Sequence, residues 1–339
     1  MDTRRPAHFG DARAELKAAF ESCVLADRSH FARVLATGRD YLDLLQRLST
    51  GDVATLAAGQ GKPTILTTGK GRIVERLFVH HLGDAGVLSF CGPAAGPRVM
   101  GHLARYTFSE HTGLVDETET TFQFVLIGPR AAQALQDDGV TIPQPFGVAD
   151  ATVGGAPVRV FGGDALSGEG FSITGPSEHG PAVWDALLAR VQAVEGRPAG
   201  HEAVAAHRVL KGLPLSGHEL SEEHNPLEAG QWDAVSFDKG CYVGQEVVAR
   251  LNTYDKVSRL IVGLELSAGP ALPATGDPLL HQGRKVGRLT SAVLSPDRPT
   301  PIGLGYLKKQ TLQPDLELQV GDEGSTTARV VELPFPGTG

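Results

Sequence analysis

Residues 63–91 read PTILTTGKGRIVERLFVHHLGDAGVLSFC. Two apolar, β-rich runs flank Gly69, Lys70 and Gly71, and the GDAG turn at 83–86 leads into a third run at 87–91. Glycine-bearing turns between such runs predict a meander of three antiparallel strands. TTGKGRI lacks the GxxxxGK[ST] spacing of a phosphate-binding loop and reads as a plain tight turn. His80 and His81 are neighbours on a predicted strand, so their rings face opposite ways and cannot share a metal.

Working outward, Tyr41, Leu44, Leu45 and Leu48 fall at i, i+3, i+4, i+7, one apolar helix face. Val99 and Leu103 mark a helix in GPRVMGHLARYTF, and Thr120, Phe122, Phe124 and Leu126 alternate as in a strand. GPRAAQALQDDG reads as a short helix stopped by Gly139, and APVRVF and GFSITGP as strands. PAVWDALLARVQA is a helix with proline in its first turn, and HEAVAAHRVLKG is another, closed by Gly212. Short connections between alternating strands and helices predict an α+β fold with antiparallel sheets. Beyond NTYDK the helix period disappears, and six short strands between Gly and Pro predict a small β-barrel or sandwich. The boundary is placed near Asp255, giving units 1–254 and 255–339.

The 339 residues exceed most single cores, consistent with two or three packed units. Net charge is -8 and pI about 5.8, which argues against direct nucleic-acid binding or an anionic-membrane surface. Three scattered cysteines form no disulfide framework, so a reducing cytoplasm is the expected compartment. The first 20 residues lack the apolar core of a signal peptide, and no run approaches the roughly 18 apolar residues of a membrane span. No heptad run or large apolar stripe points to an obligate oligomer.

Residues 239–246, KGCYVGQE, are the most unusual stretch. AVSF reads as a strand and CYVGQEVVARL as a helix, which places Cys241 in a helix's first turn. Exposed N–H groups there, with Lys239 nearby, lower a thiol's pKa, while Gly240 and Gly244 permit close backbone approach. The same elbow also suits a buried structural cysteine, and both readings stand. His218 and His224 precede Cys241, but the spacing matches no metal template, so no metal is expected. Of Glu219, Glu222, Glu223 and Glu228, the first three read as solvated. Glu228, between proline and glycine in an aperiodic run, reads as an acid held for a ligand.

NPLEAGQWDAVSFDKGCYVGQEVVAR resembles the signature segment of the YgfZ-type folate-binding proteins, relatives of the aminomethyltransferase (T-protein) of the glycine cleavage system. The resemblance spans almost the whole chain. LADRSHFARVLATGRDYLDLLQRLST looks like the family's opening, TTGKGRIVERLFVHH like its central hairpin, and RVLKGLPLSGHEL like the segment lining the folate pocket. RLIVGLEL, GRKVGRLTSAVLSP and IGLGYLKK look like its terminal barrel. The family implies two α+β subdomains and a barrel around a hole that holds tetrahydrofolate or a one-carbon derivative.

The implied role is assembly or repair of iron–sulfur proteins, with iron–sulfur client or assembly proteins as partners. Some members are labelled tRNA-modifying. Carried over to the reactive motif are Cys241, Lys239, Gly240, Gly244, Gln245 and Glu246. The folate contacts expected are Phe31 on the pterin side, with Arg72, Arg208, Glu228, Tyr242 and Arg250, and a basic rim at Arg72, Lys239 or Arg250 for the anionic tail. T-proteins carry paired acids after the hairpin turn, one of them catalytic. The matching residues here are Glu75 and Arg76. The family's pterin-holding glutamate is matched by Leu210, which accepts no N–H bond, and Glu228 is the candidate substitute. Three functions follow: a folate-dependent iron–sulfur factor, a non-catalytic folate-binding scaffold, and an aminomethyltransferase. Whether the chain is an enzyme stays open.

Overall fold

The computed structural model describes residues 5–136, 140–163, 169–269, 271–313, 315–322 and 326–336. The chain opens with α1 (Ala12–Glu21), β1 (Val24–Asp27), β2 (Phe31–Thr37) and α2 (Tyr41–Leu48). Next come β3 (Gly61–Thr67), β4 (Ile73–His81), β5 (Val87–Pro93), α3 (Gly96–Ala104), β6 (Gly113–Asp116), β7 (Thr121–Ile127) and α4 (Ala131–Leu135). They are followed by β8 (Val148–Val153), β9 (Ala156–Gly162), β10 (Phe171–Pro176), α5 (Gly180–Ala193), β11 (Arg197–Pro198), α6 (His201–Leu210) and α7 (Gln245–Thr253). The last strands are β12 (Arg259–Leu266), β13 (Pro278–His281), β14 (Arg284–Val293), β15 (Ile302–Lys308), β16 (Glu317–Val320) and β17 (Thr326–Val331).

The meander is β3-β4-β5, within a five-stranded antiparallel sheet of order β3-β4-β5-β2-β6. The apolar faces of α2 and α3 bury against it, Leu44, Leu45 and Val99 packing with Val34, Leu77 and Val79. The second sheet runs β11-β1-β7-β10-β9-β8 and is antiparallel except for the short β1–β11 pair. Val183, Leu187 and Val191 of α5 pack on its aromatic face, Phe122 and Phe124. Strands β12–β17 close into a barrel of order β12-β15-β14-β13-β16-β17. Together these match the α+β expectation with its terminal barrel. Among the described residues, no helix is long and apolar enough to cross a membrane.

Because β1 belongs to one sheet and β2 to the other, residues 28–30 cross between them. Helix α6 packs against the barrel, with Leu210, Ile302, Leu304 and Phe335 in one buried cluster. Gly212, at φ +70, ends that helix as anticipated.

Two local expectations fail, and one helix went unread. Helix α1 was not anticipated, although Asp11 caps it by accepting from the Ala14 N–H. AVSF is not a strand: a single turn at Trp232–Ala234 gives way to irregular chain, held by Thr50 on both sides. The following helix begins at Gln245, after Gly244 at φ +86, and not at Cys241. The Gly139 stop lies outside the described residues.

Candidate functional site

A cavity of about 1040 Å³ opens where the two sheets and α6 meet. Its walls come from the N-terminal segment, the crossing between β1 and β2, strand β7, and the first turns of α5 and α6. Leu215 and His218 close the side toward the barrel, where His218 Nδ1 lies 3.1 Å from the Thr290 carbonyl. The volume is at the top of the roughly 300–1,000 Å³ range of small-molecule sites. Aromatic faces dominate: Trp184 stacks on Phe9 at 6.0 Å and meets Phe124 edge-on at 5.1 Å. The cations on the wall are Arg5, Arg28 and Arg208.

Arg33 fixes the crossing segment. It is 1% exposed, yet among the described residues it donates only to neutral oxygens: the carbonyls of Ser29, Phe31, Thr118 and Thr121, Thr121 Oγ1, and Gln123 Oε1. One guanidinium thus ties β2 of the first sheet to β7 of the second and holds residues 29–31 against the cavity. Burial lowers its pKa to about 10, opposed at longer range by Asp116 and Asp27, so it stays charged at neutral pH.

Arg208 is fixed from the barrel side. Its guanidinium donates to Glu219 Oε2 at 3.0 Å, the Leu213 carbonyl at 2.8 Å and Ser291 Oγ at 2.7 Å. Glu219, 0% exposed, also accepts from the Leu215 N–H, Thr290 Oγ1 and Ser291 Oγ. Successive strand residues normally face opposite ways. Here β14 slips register between Leu289 and Ser291, and the extra residue, Thr290, brings both hydroxyls to one carboxylate. Burial alone raises the Glu219 pKa; Arg208 and these donors outweigh it and hold the carboxyl below its ordinary range. The expectation of a solvated Glu219 is therefore overturned. Glu222 and Glu223 are exposed.

Of the residues expected at a folate, Phe31 and Arg208 line the cavity; Arg72, Glu228, Tyr242 and Arg250 do not. Arg72 donates to the Glu223 carbonyl and lies 3.5 Å from Glu228. Glu228 is buried, accepts from the Asn225 N–H, and packs toward β12. Burial works to raise its pKa, but its neighbours His224, Asn225 and Arg72 bring the net shift down. Arg250 is exposed in the last turn of α7. Leu210 lies in the α6–barrel core and does not face the cavity, so a leucine there removes no donor or acceptor from the wall. Arg72, Lys239 and Arg250, any of which was expected to form a basic rim, do not line the cavity; its wall carries Arg5, Arg28 and Arg208, of which sequence reasoning named Arg208.

The two hairpin residues part company. Glu75 is buried and accepts from Arg98, from Ser216 Oγ at 2.6 Å and from the Gly92 N–H at 3.2 Å. Arg76 pairs with Asp233 at 2.8 Å and lies over the Phe78 ring.

The KGCYVGQE loop lies elsewhere. Lys239 Nζ donates to the carbonyls of Gln46, Ser49 and Gly51 at 2.7–2.8 Å, where α2 ends. This cation at a helix C-terminus anchors the loop and is not directed at a thiolate. Burial lowers its pKa to about 8. Tyr242 is buried with its ring 5.2 Å from that ammonium, while Gly240 and Glu246 are exposed. The Gln245 N–H donates to the Tyr242 carbonyl. Gly244 is required sterically: a Cβ would stand 2.5 Å from the Thr68 carbonyl oxygen. Replacing Lys239 with methionine should cost about 1–2 kcal/mol in urea unfolding, the worth of a partly exposed charged donor set.

Cys241 is exposed, four residues before α7, and does not line the cavity. Neither the helix-start position nor the buried elbow holds. Burial pushes Cys23 up to about 12 and raises Cys91 well above the ordinary thiol range. In the native protein, a chromogenic disulfide reagent should therefore react rapidly with Cys241 alone, and Cys241→Ser should abolish that phase. Rapid labelling of the variant would show that a buried thiol opens. Among the described residues, no cluster of three or more His, Cys, Asp or Glu could hold a metal.

Two α+β sheets, a closed barrel and a cavity at their junction define a protein of the aminomethyltransferase fold. A solved glycine cleavage system aminomethyltransferase T from Bartonella henselae shares it, with a TM-score of 0.78 at 20% identity over 96% of this chain and 89% of that one. The chain belongs to the glycine cleavage T-protein family: the GCVT N-terminal domain matches residues 2–239 and the glycine cleavage T-protein C-terminal barrel domain matches 259–336. It is 34% identical to a putative chloroplastic transferase of Arabidopsis thaliana, over 92% of this chain and 71% of that protein. It is 32% identical to an aminomethyltransferase of Symbiobacterium thermophilum, over 97% and 90%.

Proposed function

We propose that this chain binds tetrahydrofolate, or a one-carbon derivative of it, in the cavity, and that it serves iron–sulfur protein assembly or repair in the cytoplasm through Cys241. The cavity carries the folate half of the reading. Phe9, Trp184 and Phe31 offer faces for a planar ring and its aminobenzoyl extension, and Arg5 and Arg28 bring positive charge to the wall for the glutamyl carboxylates, Arg208 being paired with Glu219. Bound folate would supply a one-carbon carrier. The resemblance of KGCYVGQE to YgfZ-type proteins supports the iron–sulfur half, with the exposed thiol meeting client or assembly proteins at the surface, away from the folate.

Aminomethyl transfer is the second reading, favoured by the names of the relatives. Against it, the Glu75 carboxylate already accepts from three donors, and an arginine replaces its neighbouring acid. Anaerobic titration calorimetry with tetrahydrofolate, paired with an assay for methylene-tetrahydrofolate from an aminomethyl-loaded lipoyl protein, separates the two. Stoichiometric binding without turnover supports the first reading, turnover supports the second, and absence of binding removes both. The iron–sulfur half has its own test: a strain carrying Cys241→Ser should lose iron–sulfur enzyme activity, and unaltered activity would leave the scaffold function.

A further inference from the structure

Residues 5–10 form neither helix nor strand, and all but Ala7 are exposed. Yet Pro6 and Phe9 line the cavity. What holds them there is the start of α6. Gly200 precedes that helix and has no side chain to satisfy its first N–H groups. The neighbouring segment does so instead: the Pro6 carbonyl accepts from the His201 N–H at 3.0 Å and the Ala7 carbonyl from the Glu202 N–H at 3.1 Å. Glu15, 1% exposed, ties the two sides together. One of its carboxylate oxygens accepts from the Phe9 N–H and the other from the Gly200 N–H.

Two glycines shape this contact. A Cβ at Gly200 would stand 2.6 Å from the Ala7 carbonyl carbon and from the His8 Cα, both backbone atoms. Gly200 itself has φ -82, a value any residue adopts, so the glycine serves the close approach and not the turn. Gly10 is the reverse case: it has φ +122 and open space where a side chain would go. Between them, Phe9 stacks on Trp184 yet keeps 46% of its surface exposed. His201 and Glu202 are exposed too, so water can take their N–H groups when the segment lifts. Little buried apolar surface and a few hydrogen bonds open to water mark a segment of low local stability.

We infer that residues 6–9 are a hinged strap over the aromatic side of the cavity, latched to α6 through Glu15 and Gly200 and turning at Gly10. Glu15 and Gly200 are thus positioning residues: they seat Phe9 on Trp184 without lining the cavity floor themselves. For the folate reading, on which the ligand half of the test rests, the strap sets how fast a bound folate leaves. Loss of the two carbonyl contacts is worth about tenfold in the ratio of closed to open strap.

The experiment compares Gly200→Ala and Gly10→Ala with the unmodified strap, all in a Trp232→Phe background that leaves Trp184 as the one tryptophan. Gly200→Ala pushes on the latch and Gly10→Ala on the hinge, and Gly10 is exposed, so the second variant folds even where the first disturbs α6. Acrylamide quenching of Trp184 is read without ligand, and release of tetrahydrofolate is read by stopped flow. The expected result is stronger quenching and release about tenfold faster in both variants, with the urea midpoint unchanged. Unchanged quenching overturns the strap. Stronger quenching with unchanged release also overturns it as a gate, and so does a fall in the urea midpoint that accounts for both changes. If wild type binds no tetrahydrofolate, the folate reading fails, and the quenching alone decides whether the strap is movable.

Discussion

Replacing Arg33 with methionine is expected to remove about 4 kcal/mol of stability, read as a fall in the urea midpoint with an unchanged slope. The side chain's stem is retained, but the carbonyls of Ser29, Phe31, Thr118 and Thr121 lose a buried donor together. Each unsatisfied buried group costs about 1–3 kcal/mol, and partial rehydration limits the sum. Arg33→Lys should recover less than half, because three protons on one nitrogen cannot span acceptors placed around a planar fork. A loss below about 1 kcal/mol would mean that other contacts hold the crossing between the sheets.

The second large effect is at Glu219. Glu219→Leu leaves Arg208 buried without its carboxylate and should cost about 3–5 kcal/mol. The pH dependence has a definite sign. The folded carboxyl titrates below its ordinary range, so its contribution is complete above the unfolded value near 4.3 and is lost as pH falls through the folded value. Stability of wild type should therefore drop more steeply below about pH 4 than that of Glu219→Gln. Parallel acid profiles would show that Glu219 is held as the neutral acid.

Periodicity made the frame legible. The i, i+3, i+4, i+7 set of α2 is buried together, and the turns of the meander lie where glycine allowed them. Contacts distant in sequence were not legible. Arg33 carries no signal of its own in the sequence; it is buried because its side chain, on β2 of one sheet, reaches Thr121 and Gln123 on β7 of the other. Glu219 reads as one acid among several, and its burial depends on a bulge 71 residues further on.

At KGCYVGQE the helix period was counted from Cys241. Gly244 at positive φ separates the loop from the helix, and that conformation is visible only once the Thr68–Gly71 turn is packed against it. Composition identified the cysteine as unusual but could not say that it faces solvent. The N-terminal contribution to the cavity was missed for a related reason. Its signal was Asp11 as a helix cap with Glu15 in the first turn; Glu15 then receives the Phe9 N–H and holds the preceding segment in place.

The central claim is that the cavity is a folate site, and the chain's two tryptophans allow a direct test. Trp184 lines the cavity, while Trp232 is exposed and lies outside it. In Trp232→Phe, Trp184 is the sole reporter. Titration with tetrahydrofolate should quench its emission saturably, at one ligand per chain, and the same titration of Trp184→Phe should leave the Trp232 signal unchanged apart from inner-filter loss. No saturable change in the Trp184 reporter up to about 1 mM ligand, an affinity no better than about -4 kcal/mol, would contradict the account.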